Sequence, residues 1–123
     1  MATIFVLEDD PDLLNLYTRA LSFRGYTILN ASSAESAIQL LAEATCKPDI
    51  AVLDMSMPGL PGSAVVEYIR RESSFQRIPI IVVSCDDGFR TKLEGSNVHF
   101  MTKPINLADL YQVVARLTVP VTA

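Results

Sequence analysis

Five short apolar runs, each separated from the next by a longer amphipathic or turn-rich segment, constrain this 123-residue chain more than any other feature. The first, Thr3-Ile4-Phe5-Val6-Leu7, is apolar without alternation. That is the pattern of a strand buried on both faces. Residues 26–29, 49–53, 79–84 and 98–101 repeat it, and 79–84 is the clearest β-branched run. Helical signals fill the gaps. Asp10 is a plausible N-cap with Pro11 at the first helical position; Leu13, Leu14, Tyr17, Ala20 and Leu21 form a stripe, and Gly25 stops it. Ser32 and Glu35 have capping-box spacing, which starts a second helix running to about residue 44. A third is expected over about 63–72, with Val65, Val66 and Ile69 apolar. Asn106 caps a last one, with Leu107, Leu110, Val114 and Leu117 on one face. Between the fourth and fifth strands the apolar stripe is weak, so the helix there, the fourth of five, is expected to be short or irregular. Strands alternating with crossover helices imply a three-layer, doubly wound α/β domain around a five-stranded parallel sheet.

Half of the residues are apolar, enough for a single core. One domain is expected over residues 1–118, with 119–123 a tail or the start of a linker. The net charge of −4 lacks the footprint of a nucleic-acid binder. The one basic doublet, Arg70-Arg71, reads as a solvated helix end. Cys46 and Cys85 have no CxxC spacing, so neither a disulfide framework nor a zinc site is suggested, and a reducing cytoplasm fits. The first apolar run meets Glu8 too soon for a signal peptide, and the stretch 78–85 is too short to span a bilayer. The expected location is cytoplasmic, without a membrane partner.

In a sheet of this kind ligands bind beyond the carboxyl ends of the strands. Glu8, Asp9 and Asp10 follow the first strand, and Asp54 follows the third. Ser84 closes the fourth, and Lys103 follows the fifth. Carboxylates brought together there repel by about 4 kcal/mol per pair near a protein surface. A hard divalent cation would offset that, and Lys103 offers a built-in counter-charge.

Four stretches carry a resemblance. They are Val6-Leu7-Glu8-Asp9-Asp10-Pro11, the run Asp54-Met55-Ser56-Met57-Pro58-Gly59-Leu60-Pro61-Gly62, Ile80-Ile81-Val82-Val83-Ser84, and Phe100-Met101-Thr102-Lys103-Pro104. In this order and at strand ends, they make the chain resemble a response regulator receiver domain over essentially its whole length. The resemblance implies a flavodoxin-like strand order of 2-1-3-4-5. It implies that Asp54 receives a phosphoryl group from a sensor histidine kinase or a histidine phosphotransfer protein. Mg²⁺ would be held by Asp9, Asp54 and the backbone carbonyl of Ser56, with Glu8 acting through water. Ser84 and Lys103 would contact the phosphoryl group, and the Lys103–Pro104 bond would be cis. Phe100 takes the place of an aromatic whose rotamer follows phosphorylation. Cys85 and Asp86 would modulate loss of the phosphoryl group. The downstream partner or output domain stays open. The segment from Ser84 to Lys103 is a few residues shorter than is usual in the family, which puts its usual output face in doubt.

Two other functions compete. One is a pseudo-receiver that binds a partner without phosphorylation; Asp9, Asp54, Ser84 and Lys103 all being present argues against it. The other is a Mg²⁺-dependent aspartyl-phosphate phosphatase resembling the haloacid dehalogenases. That chemistry needs a second aspartate two positions after the nucleophile, where this chain has Ser56. The lone histidine, His99, is read as a surface residue and supplies no Ser/His/Asp or Cys/His arrangement. The expectation is therefore a domain that catalyses only its own phosphoryl transfer and dephosphorylation, not an enzyme acting on a separate substrate.

Overall fold

The computed structural model describes residues 2–43, 47–55, 62–72, 77–84, 98–103 and 105–118. The strands are β1 (Thr3–Leu7), β2 (Thr27–Ala31), β3 (Ile50–Asp54), β4 (Ile80–Ser84) and β5 (His99–Thr102). They form one sheet in the order β2-β1-β3-β4-β5, and every pairing is parallel. The helices among the described residues are α1 (Pro11–Phe23), α2 (Ala34–Glu43), α3 (Gly62–Arg71) and α4 (Leu107–Thr118). The expected flavodoxin-like order is thus observed. The short helix expected between β4 and β5 falls in 85–97, and the tail in 119–123; both lie outside the described residues.

The apolar runs are continuous because both faces of the sheet are covered. Successive side chains on a strand point to opposite faces, so each run feeds two cores. Phe5, Leu7, Leu53, Ile80 and Val82 pack with Leu41 of α2 and Val65 and Ile69 of α3. Ile4, Val6, Val52, Ile81 and Val83 pack with Tyr17 and Leu21 of α1 and Leu110 and Val114 of α4. Burying each such large side chain contributes roughly 1.5–3 kcal/mol.

Caps fix where the helices start. The Asp10 side chain accepts hydrogen bonds from the Asp12 and Leu13 amides at 2.9 and 3.3 Å, which orients α1 away from the end of β1. Gly25 ends that helix with φ 95°, a left-handed conformation that costs a residue with a Cβ roughly 1–2 kcal/mol. Asn106 Oδ1 accepts from the Ala108 amide at 2.8 Å and caps α4 as expected. The start of α2 corrects the expectation. The Ser33 hydroxyl, not Ser32, accepts the Ser36 amide at 3.1 Å, and the Ser33 carbonyl accepts the Ala37 amide at 2.9 Å. The cap sits one residue later than that spacing placed it, after β2 has run to Ala31.

Candidate functional site at the carboxyl end of the sheet

Parallel register decides which side chains meet. Leu7 pairs with Leu53, so the next residues, Glu8 and Asp54, come side by side. Asp54 is itself the last residue of β3, paired with Val83, and Ser84 follows at the end of β4. Ser84 pairs with Thr102, and the Lys103 amide donates to the Ser84 carbonyl at 3.0 Å. Four strands therefore deliver their terminal polar residues to one edge.

Glu8 and Asp54 are each 1% exposed, and Ser84 is 6% exposed. Buried carboxylates need a counter-charge. Lys103 Nζ supplies it, 3.2 Å from Glu8 Oε1 and 3.3 Å from Asp54 Oδ2. The other Glu8 oxygen, Oε2, accepts the Asp10 amide at 3.2 Å. The single ammonium does not balance the pair. Burial, and then the adjoining Asp54 carboxyl, push Glu8 up to about 7, against the opposing pull of the Asp10 amide and Lys103. Burial alone would lower the Lys103 ammonium, but Asp54 and Glu8 hold it above its ordinary value.

Asp9 stands beside this pair, half-buried. Carboxylate oxygens of Glu8, Asp9 and Asp54 all lie within 4.8 Å of one another. Hard oxygen donors in excess over their built-in cation suit a divalent ion such as Mg²⁺. The residues present therefore fit a metal. Asp10 takes no part in the cluster; its side chain caps α1.

The remaining candidates separate. Phe100 is half-buried and packs against the core on the α2–α3 side, while His99 beside it is exposed. The Ser56 carbonyl, Cys85, Asp86 and the bond to Pro104 lie outside the described residues. Two further residues bear on the site through neighbours that the sequence does not show. Gly62, the first residue of α3, is pressed against β3: a Cβ there would overlap the Asp54 carbonyl oxygen and lie 2.9 Å from Met55 Cε. Its position at the close of a turn-rich loop was a visible signal, but the neighbour it touches was not. Tyr17 belongs to the apolar stripe of α1, yet its phenol is pushed up first by burial and then by the charge of Glu8. Nothing in a helical stripe shows that one ring lies near enough to a carboxylate to be affected by its charge.

The fold and the site define a class: a small doubly wound α/β domain with an acidic cluster and a lysine at the carboxyl edge of its sheet. The comparisons narrow it. The profile of the response regulator receiver domain matches residues 4–115. The chain belongs to this family: it is a receiver domain of the two-component response regulator type. It is 32% identical over 118 residues to the uncharacterized transcriptional regulatory protein YrkP of Bacillus subtilis, covering 93% of this chain and 48% of that protein. It is 26% identical over 117 residues to the protein PilH of Pseudomonas aeruginosa, covering 93% and 95%. The chain thus spans about half the length of the first relative and nearly all of the second. In fold it is similar to the chemotaxis protein CheY4 of Vibrio cholerae, with TM-score 0.86, 20% identity and coverage of 95% and 98%. It is similar as well to the receiver domain of a signal transduction histidine kinase from Syntrophus aciditrophicus, with TM-score 0.87, 23% identity and coverage of 100% and 96%. Among the described residues no helix is long and apolar enough to cross a membrane.

Proposed function

We propose that Asp54 accepts a phosphoryl group from a phosphohistidine on a sensor kinase or phosphotransfer protein, and that the change is read by a downstream partner or output domain. The observation that carries this reading is one ammonium, Lys103, shared between two buried carboxylates, with Asp9 completing an acidic cluster. A structural ion pair has no use for the surplus negative charge. A site that receives a divalent cation and a phosphoryl group does.

In the transfer, an Asp54 carboxylate oxygen forms a bond to phosphorus as the donor's phosphorus–nitrogen bond breaks. The bonding electron pair returns to the imidazole nitrogen, which takes up a proton. Such transfer needs alignment and charge neutralisation more than covalent help. Asp9 and Asp54 would hold Mg²⁺ with the Ser56 carbonyl as a further oxygen, and Glu8 would act on it through water. The ion, when bound, neutralises charge on the phosphoryl oxygens. Lys103 exchanges its contact with Asp54 for one with the phosphoryl group, and the Ser84 hydroxyl donates to another phosphoryl oxygen. Phe100 follows that inward movement, a local charge event biasing a two-state element. The domain acts on its own acyl phosphate and on no separate substrate, and it works in the cytoplasm.

Intact mass after incubation with acetyl phosphate and Mg²⁺ tests this. The expected result is one added phosphoryl group, absent without Mg²⁺ and absent in Asp54→Asn. A folded wild-type chain that binds Mg²⁺ yet gains no mass would overturn the reading in favour of a binding module that is not phosphorylated.

A further inference from the structure

The outward side of α1 carries a seam that the fold does not use. Leu13, Leu14, Tyr17 and Leu21 turn to the sheet and its core. On the opposite side stand Asp12, Leu16, Arg19 and Phe23, at successive spacings of four, three and four residues. That spacing lays them along one line of the helix, as in the contact seam of paired helices. Phe23 is 93% exposed and Leu16 is 45% exposed, and they are the exposed large hydrophobic residues among those described. A shallow groove lined by Asp12, Asn15, Leu16, Arg19, Ala20 and Phe23 runs along them.

The charges on this seam say what fits it. Asp12 and Arg19 are opposite in sign and two helical turns apart, about 10 Å along the axis. They are too far apart to pair with each other, and among the described residues neither takes part in an ion pair. We propose that this face binds the same face of a second copy of the chain, the two α1 helices antiparallel about a two-fold axis at Leu16. A parallel pair would set Asp12 on the partner's Asp12 and Arg19 on the partner's Arg19. The antiparallel pair sets Asp12 of each copy beside the partner's Arg19, on both sides of the axis. Leu16 then meets the partner's Leu16 at the centre, and Phe23 reaches the N-terminal end of the opposite helix. This is an isologous contact, self-complementary in charge and pattern. One helix face per copy makes it a small and reversible interface.

Sedimentation velocity on the intact chain, in a concentration series up to about 1 mM, tests it. The expected result is a reversible monomer–dimer equilibrium. Phe23→Ser and Leu16→Ser change exposed side chains and are expected to weaken it by about tenfold or more. Arg19→Asp and Asp12→Arg each replace two symmetric attractions by repulsions and weaken it by roughly tenfold. The double variant with Asp12→Arg and Arg19→Asp restores the pairing to within about threefold of wild type. Far-UV circular dichroism and a urea midpoint establish that each variant is folded. Should a charge reversal unfold the helix, Arg19→Ala takes its place and must weaken the dimer. A chain that stays monomeric overturns the proposal. So does a dimer indifferent to Phe23→Ser, or a double variant no better than the single ones. If wild type is monomeric while Phe23→Ser slows phosphoryl uptake from a phosphohistidine protein, the face belongs to that donor and self-pairing is overturned.

Discussion

The two ends of the same strands are built on opposite terms. At the amino end polar groups are solvated or paired locally. The Thr3 amide donates to Asp49 Oδ2 at 2.7 Å, the Asp49 amide donates back to the Thr3 carbonyl at 2.7 Å, and the Arg24 guanidinium lies 3.9 Å over the Tyr111 ring. At the carboxyl end two carboxylates are buried together under one lysine, and Glu8 is pushed up to about 7. The strands and their two cores hold the fold. The carboxyl end spends part of that stability on a site with too few positive charges, and local conflict of this kind is expected where function resides.

Four measurements would break or sharpen this contrast. The largest effect is expected at the carboxyl end from Gly62→Ala. The added Cβ overlaps the Asp54 carbonyl, so the start of α3 must shift, at a cost of about 3 kcal/mol in urea unfolding. An unchanged midpoint would mean that α3 does not press on β3 as described.

The next is a pH dependence carried by Glu8. Its folded value of about 7 lies above its ordinary 4.5, so the unfolded chain releases this proton first as pH rises. The contribution is fully present below pH 4.5 and is lost as pH rises through about 7, a loss on the order of 3 kcal/mol in metal-free protein. Saturating Mg²⁺ should remove that loss, because the ion takes the charge that the proton had covered. Urea midpoints at several pH values, with and without Mg²⁺, check both halves. Equal slopes in the two series would separate Glu8 from the metal site.

Lys103→Met leaves the buried carboxylates without their cation. Because Lys103 is 21% exposed, a loss of about 2 kcal/mol at neutral pH is expected, recovered in large part by Mg²⁺. A loss that Mg²⁺ does not reduce would assign Lys103 to packing alone. The smallest effect belongs to the amino end. Asp49→Ala removes one exposed hydrogen bond and should cost about 0.5 kcal/mol, with no response to Mg²⁺. A Mg²⁺-sensitive loss there would show that the two ends are coupled.

Much of the fold was legible because its signals are local. Asp10, Gly25 and Asn106 act through their own neighbours along the chain, and each does what its residue type favours. The misplaced boundaries lie where a pairing partner overrode the local pattern. The second strand was expected over 26–29, where the apolar run ends. It spans Thr27–Ala31 because β1 supplies ladder partners from Thr3↔Thr27 through Leu7↔Ala31, which carries the polar Asn30 along the edge. The third strand reaches Asp54 because β4 continues beside it. The residues of the site were legible as a set for a similar reason: each ends or follows an apolar run, and such ends gather at one edge of a parallel sheet.

By itself the sequence determined the alternation of strand and helix, the helix caps at Asp10 and Asn106, and the placement of Glu8, Asp9, Asp54, Ser84 and Lys103 at strand ends. These follow from short-range chemistry that a few consecutive residues carry. Only the tertiary structure decided that Glu8 and Asp54 share a single lysine, and that Gly62 must lack a side chain because the Asp54 backbone lies against it. Distances between groups far apart in the chain, and the loss of solvent around them, exist only after β1, β3 and β5 are brought to one edge. The shift of Glu8 toward neutral pH is a consequence of that burial, which no residue carries alone.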